Sequence, residues 1–212
     1  MRRSTSQGNP ATHVQLIDDP DEIALREAQN GLRQFDETMR MVRESNWQLS
    51  LTPERVLRLQ WFATEGIWSS AGKFRQHSVK ITNTPHQPPH FDQIPDLVDR
   101  MCDYANQQSD PFHVAAYLMW RLNWIHPFGD GYGRTSRAVS YYALSVALKM
   151  ELPGVPTIPE LIVKQRQPYY HALDAADAAW DVGIVDVNQM SELIQQLLIQ
   201  QLSSNPGSPS IT

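Results

Sequence analysis

His126-Pro127-Phe128-Gly129-Asp130-Gly131-Tyr132-Gly133-Arg134-Thr135-Ser136-Arg137 is a glycine-rich turn set between two helical patterns, and that setting decides the fold. Upstream, Asp110-Pro111 reads as a helix cap followed by proline at the first helical position. Phe112, Ala115, Ala116, Met119, Leu122 and Ile125 then recur at helical spacing. Pro127 stops that helix. Downstream, residues 138–150 hold no Gly or Pro and are rich in Ala, Leu, Val and Tyr. A helix–turn–helix setting excludes the two glycine loops of α/β proteins. The strand that a dinucleotide fingerprint or a P-loop needs before it is absent, and so is the Walker Lys-Ser/Thr pair.

The rest of the chain agrees. Asp19-Pro20-Asp21-Glu22 has the cap, proline and acid of a helix start. Ile23, Leu25, Ala28, Leu32, Phe35, Met39 and Val42 then predict a broad apolar face on a long first helix. Thr52-Pro53-Glu54 opens a second helix, with Val56, Leu59, Phe62 and Ala63 on its core side. Further helices are predicted over 95–106, 111–125, 134–150, from Pro159, over 168–180 and over 187–202. Val79-Lys80-Ile81-Thr82 carries the one strand signal. The expected fold is therefore all-α, a helical bundle with one small β-hairpin. Residues 1–17 are read as a loose polar segment, 18–202 as a single domain, and the Ser/Pro/Gly-rich run 203–212 as a disordered tail.

The loop itself is suited to phosphate. Gly131 and Gly133 let the backbone approach an anion, and they stand where free N–H groups and the positive end of a helix dipole point outward. Asp130 can hold a hard divalent cation that bridges phosphate oxygens. Arg134 and Arg137 lie about one helical turn apart and can face the same anion. His126 has an ordinary pKa near 6.5, suited to taking a proton from a hydroxyl. Taken singly, each has a plainer reading: His126 as a helix-terminal cap, Asp130 as a turn former, Arg137 as a surface residue. Phe128 is expected to anchor the loop in the core.

The loop resembles the signature of the Fic (Fido) family, His-x-Phe-x-Asp/Glu-Gly-Asn-Gly/Lys-Arg-x-x-Arg. It matches at His126, Phe128, Asp130, Gly131, Gly133, Arg134 and Arg137, with Tyr132 where Asn is usual. Ala71-Gly72-Lys73-Phe74-Arg75 resembles a second family segment, and the stretch through Val79, Lys80 and Ile81 resembles its target-binding flap. The resemblance covers residues 53–180. It implies a Fic-like helical bundle that transfers AMP from ATP, as co-substrate with Mg²⁺, to a Ser, Thr or Tyr hydroxyl of a target protein. It further implies His126 as base, Asp130 as the Mg²⁺ ligand, and Gly131, Tyr132, Gly133, Arg134 and Arg137 as nucleotide contacts. A Fic-like module with altered donor or lost turnover is the alternative, and Tyr132 is the residue that favours it. The family's inhibitory Ser/Thr-x-x-x-Glu-Gly/Asn motif is not intact: Trp61 stands where Ser or Thr belongs before Glu65-Gly66, and the acid is missing near Gln29-Asn30. Inhibition by a separate small protein, by self-association, or not at all stays open.

Composition narrows the setting. Hydrophobic residues make up 41% of the 212, ordinary for a soluble globule, and the formal net charge is -5, which gives nucleic acid no electrostatic support. No apolar run is long enough for a membrane span. The single cysteine, Cys102, cannot form an intrachain disulfide, and no apolar region follows Met1-Arg2-Arg3, so a cytoplasmic protein is expected. His86 and His90 are separated by Pro88-Pro89, which excludes the helix that would align them on zinc.

Overall fold

A computed structural model describes Ser4–Gln7 by backbone, and residues 13–82 and 84–204 in full. Among the described residues there are eight helices, α1 (Pro20–Glu44), α2 (Pro53–Thr64), α3 (Ile94–Asn106), α4 (Pro111–Ile125), α5 (Tyr132–Ala147), α6 (Ile158–Lys164), α7 (Arg166–Asp181) and α8 (Asn188–Ser203). Two short strands, β1 (Ser4–Gln7) and β2 (Ser78–Ile81), pair antiparallel. The all-α bundle expected from the sequence is the one observed. No described helix is long and apolar enough to cross a membrane.

The capping residues act where the sequence places them. Asp19 accepts from the N–H groups of Asp21 and Glu22, Thr52 from Arg55, and Asp110 from Phe112 and His113. Each is followed by proline, whose missing N–H would have been unpaired in the first turn anyway. α4 is the central helix. It packs on α5 most extensively and also on α3, α7 and α8, and Trp120, Leu118 and Ile125 on it have no exposed surface. α5 lies between α4 on one side and α1 and α2 on the other. The α4–α5 turn is thereby fixed at both ends by the densest packing in the molecule.

Two expectations change. The apolar face of α1 does not turn inward along its whole length. Leu25, Leu32 and Phe35 are exposed, whereas Asn30, Gln34, Glu37 and Thr38 are buried beside Met39 and Val42. These polar groups are tolerated because each has a partner. Asn30 Nδ2 donates to the Glu65 carbonyl (2.8 Å), Gln34 Nε2 to the Leu59 carbonyl (2.8 Å), and Glu37 takes Arg40 and Arg58. The second change concerns the N-terminal segment. The flap strand does not close a local hairpin; β2 takes its partner from β1, in the register Ser4–Ile81, Thr5–Lys80, Ser6–Val79 and Gln7–Ser78. Residues 13–17, read as loose, are bonded too. Ser69 N–H donates to the Val14 carbonyl (2.9 Å) and Leu16 N–H to the Ile67 carbonyl (2.8 Å). Of the tail expected over 203–212, Ser203 ends α8 and Ser204 Oγ donates to the Gln200 carbonyl (2.8 Å), while residues 205–212 lie outside the described residues.

Candidate functional site

His126 closes α4 in the left-handed region (φ 50°, ψ 57°), its N–H still donating to the Leu122 carbonyl at 3.0 Å. That conformation is uncommon for a residue with a side chain and reverses the chain at once. Phe128 follows, wholly buried against Phe74 with ring centroids 5.9 Å apart, as expected of an anchor. Gly131 then caps α5 with φ 73°. A Cβ at Gly131 would lie 2.6 Å from Thr64 Cγ2, so both backbone angle and packing against α2 require glycine there. No side chain caps the first turn of α5, which leaves its N–H groups open to an anion.

Arg75 holds the turn from outside. It is 3% exposed. Its backbone N–H donates to the Pro127 carbonyl (2.9 Å), and its guanidinium donates to the carbonyls of His126 (2.7 Å), His77 (2.8 Å) and Pro89 (2.7 Å). All the acceptors are neutral, so burial pulls its pKa down to about 10, and the group stays charged at neutral pH. Gln60 on α2 adds a second clamp, donating to the Asp130 carbonyl (3.1 Å) and accepting from Gly72 N–H (2.6 Å). The sequence placed Arg75 in a resembling segment but gave it no role; an arginine with no Asp or Glu anywhere in residues 66–91 was the available signal.

A cavity of about 670 Å³ opens over the start of α5. Asp130, Gly131, Tyr132, Gly133, Arg134 and Arg137 all line it, so the expected nucleotide contacts meet in one place. Opposite them stand Arg166, Tyr169 and Tyr170 of α7, which the sequence reading missed because they sit on an ordinary-looking amphipathic helix. Arg137 is the notable cation. Burial depresses its pKa, Tyr169 and Tyr170 act against that while Arg134 and Arg166 add to it, and no carboxylate of the described residues pairs with it. Arg134, by contrast, is already engaged, with Asp130 Oδ1 at 3.2 Å and Glu27 Oε1 on α1 at 3.1 Å. Glu27 was not singled out in the sequence; it supplies an acid to the loop from the helix in which no inhibitory motif was found.

Asp130 Oδ1 accepts from Gly131 N–H and from Arg134. Its side chain remains 38% exposed, which leaves the carboxylate open to a cation from the cavity. Among the described residues no group of three or more His, Cys, Asp and Glu could hold an ion. The site fits an ion that arrives with phosphates and waters, the usual way Mg²⁺ is bound, rather than one held by protein ligands alone.

His126 is 1% exposed and does not line that cavity. The ring of Tyr132 lies against it, centroids 3.8 Å apart and planes at 43°. Tyr132 therefore contacts the candidate base as well as the cavity. Val79, Lys80 and Ile81 are outside the cavity as well: Val79 is half-buried, Lys80 exposed and Ile81 buried, on the strand that leaves His77.

A second, smaller cavity of about 330 Å³ lies on the other side of Gly129, lined by His13, Ser70, Lys73 and His77. His13 stacks on Trp68 at 4.2 Å, and its Nδ1 lies 2.6 Å from Ser70 Oγ. Its ring is so close to Gly129 that a Cβ there would come within 2.7 Å of it. The remaining histidines stay apart: His86 bonds the Trp124 carbonyl and His90 pairs with Asp92. Cys102 is buried, and burial followed by Asp99, Asp103 and Glu54 pushes its thiol up to about 12, which removes it as a nucleophile.

Residues 50–144 match the model of the Fic/DOC family. The chain is 36% identical over 109 residues to the protein adenylyltransferase fic-1 of Caenorhabditis briggsae, covering 50% of this chain and 20% of that protein. It is 36% identical over 111 residues to the protein adenylyltransferase Fic of Drosophila willistoni, with the same coverage. The chain thus spans about one fifth of the length of these curated relatives. Among solved structures, a Fic family protein from Desulfovibrio desulfuricans G20 superposes with a TM-score of 0.63 at 19% identity, over 92% of this chain and 57% of that one. Residues 134–508 of Fic-1 from C. elegans give 0.61 at 19%, over 86% and 51%. At these identities the two structures speak to the fold.

Proposed function

Through residues 50–144 this chain belongs to the Fic/DOC family, and from that premise we propose that it transfers AMP from ATP to a Ser, Thr or Tyr hydroxyl of a target protein. The observation that carries the reading is the cavity at the start of α5. It joins open helix N–H groups, an exposed carboxylate and a desolvated Arg137 that has no acid partner among the described residues. A cation in that state is costly unless an anion meets it. The volume suits a nucleotide.

In this reading the acceptor hydroxyl attacks the α-phosphorus while His126 takes its proton. The bond from that phosphorus to the bridging oxygen breaks, and pyrophosphate leaves. Gly133 offers a backbone donor to the phosphates, Gly131 can do so once its N–H leaves Asp130, and Arg137 pairs with the phosphate chain. Arg134 must give up Glu27 or share it with phosphate, since its guanidinium already contacts both Glu27 and Asp130. Asp130 would hold Mg²⁺, which would supply positive charge against the phosphates. Tyr169 and Tyr170, which line the same cavity, would flank the adenosine end in this reading. Regulation by an inhibitory protein or by self-association belongs to the same proposal.

A second reading, a nucleotide-binding module without turnover, is favoured by Tyr132, whose ring covers His126. One experiment separates them. Lysate proteins are incubated with the chain, Mg²⁺ and ATP labelled on the adenine, then searched by tandem mass spectrometry for AMP on hydroxyl side chains. Transfer predicts adducts that disappear with His126→Ala, which should still bind ATP in a calorimetric titration. No adduct above the His126→Ala background, with ATP binding intact, leaves the binding module.

A further inference from the structure

The cavity of about 330 Å³ beside Gly129 takes no part in the transfer chemistry. Its wall holds two polar groups that are costly where they stand. Arg75 is 3% exposed, and its guanidinium meets only carbonyl oxygens, those of His126, His77 and Pro89. A buried cation whose acceptors are all neutral is left without a counter-charge. His77 is 5% exposed, and neither its Nδ1 nor its Nε2 has a hydrogen-bond partner among the described residues. Buried polar side chains are bonded in the large majority of cases. Both residues line the same cavity.

The rest of the lining has one sign. Lys73 is exposed and makes no ion pair with a described residue. Ser70 Oγ lies 2.6 Å from His13 Nδ1, and the rings of His13 and His77 are 5.9 Å apart. No Asp or Glu lines the cavity. Asp130 acts on His13 through space, but it lines the nucleotide cavity. Lys73 and Arg75 each carry a positive charge, which a phosphate group of about −1.5 to −2 balances; a carboxylate leaves one cation over. A metal ion, which two imidazoles alone could attract, meets both cations as like charges. At about 330 Å³ against 670 Å³, the space is half that of the nucleotide cavity and suits a phosphate with the end of a side chain.

We propose that this cavity is a second anion site, separate from the nucleotide cavity, which takes a phosphate group on Lys73, His77 and the Ser70 hydroxyl, with Arg75 as fixed charge in its wall. The phosphate is the free ion or one borne by a serine of a protein docked at the loop. Lys73 offers an ammonium, Ser70 a hydroxyl and the imidazoles ring N–H groups, the donors that phosphate oxygens accept. Arg75 also holds the carbonyls of His126 and Pro127, and Gly129 lines both cavities. An anion seated here therefore bears on the loop that carries the candidate base.

The test follows the ring C–H NMR signals of His13 and His77 in the full chain, identified by their loss in His13→Gln and His77→Gln, while inorganic phosphate is added. Both signals should shift along one saturating curve. Lys73→Gln should weaken that curve by about tenfold or more; Lys73 is exposed and unpaired, so the variant should fold as the parent does. Arg137→Met, which alters the nucleotide cavity, should leave the curve unchanged. A short peptide with one phosphoserine is titrated in parallel with its unphosphorylated copy. Tighter binding of the phosphopeptide than of inorganic phosphate identifies a protein-borne group; equal or weaker binding identifies the free ion. Signals that stay fixed at millimolar phosphate, a Lys73→Gln variant that binds as the parent does, a response lost in Arg137→Met, or an equal response to the unphosphorylated peptide would overturn the proposal. The readout does not use turnover, so a failure here leaves the transfer reading standing, and a failure of AMP transfer leaves this site standing.

Discussion

Replacing Arg137 by methionine should move two quantities in opposite directions. The guanidinium is desolvated in the cavity wall, Arg134 and Arg166 act on it with like charge, and no acid among the described residues pairs with it. Folding bears the cost of burying that charge, and an arriving phosphate recovers it. Loss of one charge-assisted contact to phosphate amounts to about 1.5–3 kcal/mol. At 1.4 kcal/mol per decade, that is a Kd for ATP-Mg weakened by about ten- to hundredfold. Methionine keeps the apolar stem and removes the unpaired charge, so the ligand-free protein should gain about 1–2 kcal/mol. For a chain of this size that raises Tm by roughly 2–8 °C. Titration calorimetry reads the first quantity and scanning calorimetry the second. Unchanged affinity would put Arg137 outside the phosphate site. Lower affinity with a lower Tm would make it a structural residue and refute the argument from desolvation.

Other consequences are independent of that one. Tyr132→Asn removes the ring that lies 3.8 Å from His126 and should raise AMP transfer by up to about 10²-fold; no gain, in a variant with unchanged Tm, would mean the ring does not hinder the base. Glu27→Gln frees Arg134 from a partly exposed ion pair, to which a value of about 0.2–1 kcal/mol applies, so ATP affinity should rise by up to about fivefold; equal or weaker binding would show that Glu27 does not compete with phosphate. His13 and His77 are held below the usual imidazole range, chiefly by burial. The unfolded imidazoles take up protons near pH 6.5 while the folded ones resist, so their contribution is complete above that pH and is lost as pH falls. Hydrogen exchange over residues 13–17 should accelerate as pH drops from about 6.5 to about 5, after correction for intrinsic rates; a flat profile would contradict the linkage.

The loop was legible because its constraints are local. A glycine that must take φ 73° beside Thr64, a proline that ends α4 and arginines one turn apart leave a signature at fixed spacing. The capped helix starts were legible for the same reason. The interior of α1 was not. Asn30 and Gln34 are buried because carbonyls of Glu65 and Leu59, far along the chain, accept their hydrogen bonds, and periodicity cannot report a partner on another helix. Leu25 and Leu32 face outward although the pattern reads them as core. Arg166 and Tyr169 fall under the same limit, since they meet the start of α5 only across a cavity that the fold creates. The pairing of β1 with β2 joins residues more than seventy positions apart, and only the folded chain brings them together.

The central claim is that this loop moves AMP, with His126 as base. The direct test compares ATP labelled at the α-phosphorus with ATP labelled at the γ-phosphorus, in parallel reactions with Mg²⁺ and acceptor protein. Retention of the α label on protein, release of the γ label in pyrophosphate, and a fall of about 10²-fold or more with His126→Ala are the predicted results. Retention of the γ label on protein, or a His126→Ala variant that labels as fast as the parent, would contradict it.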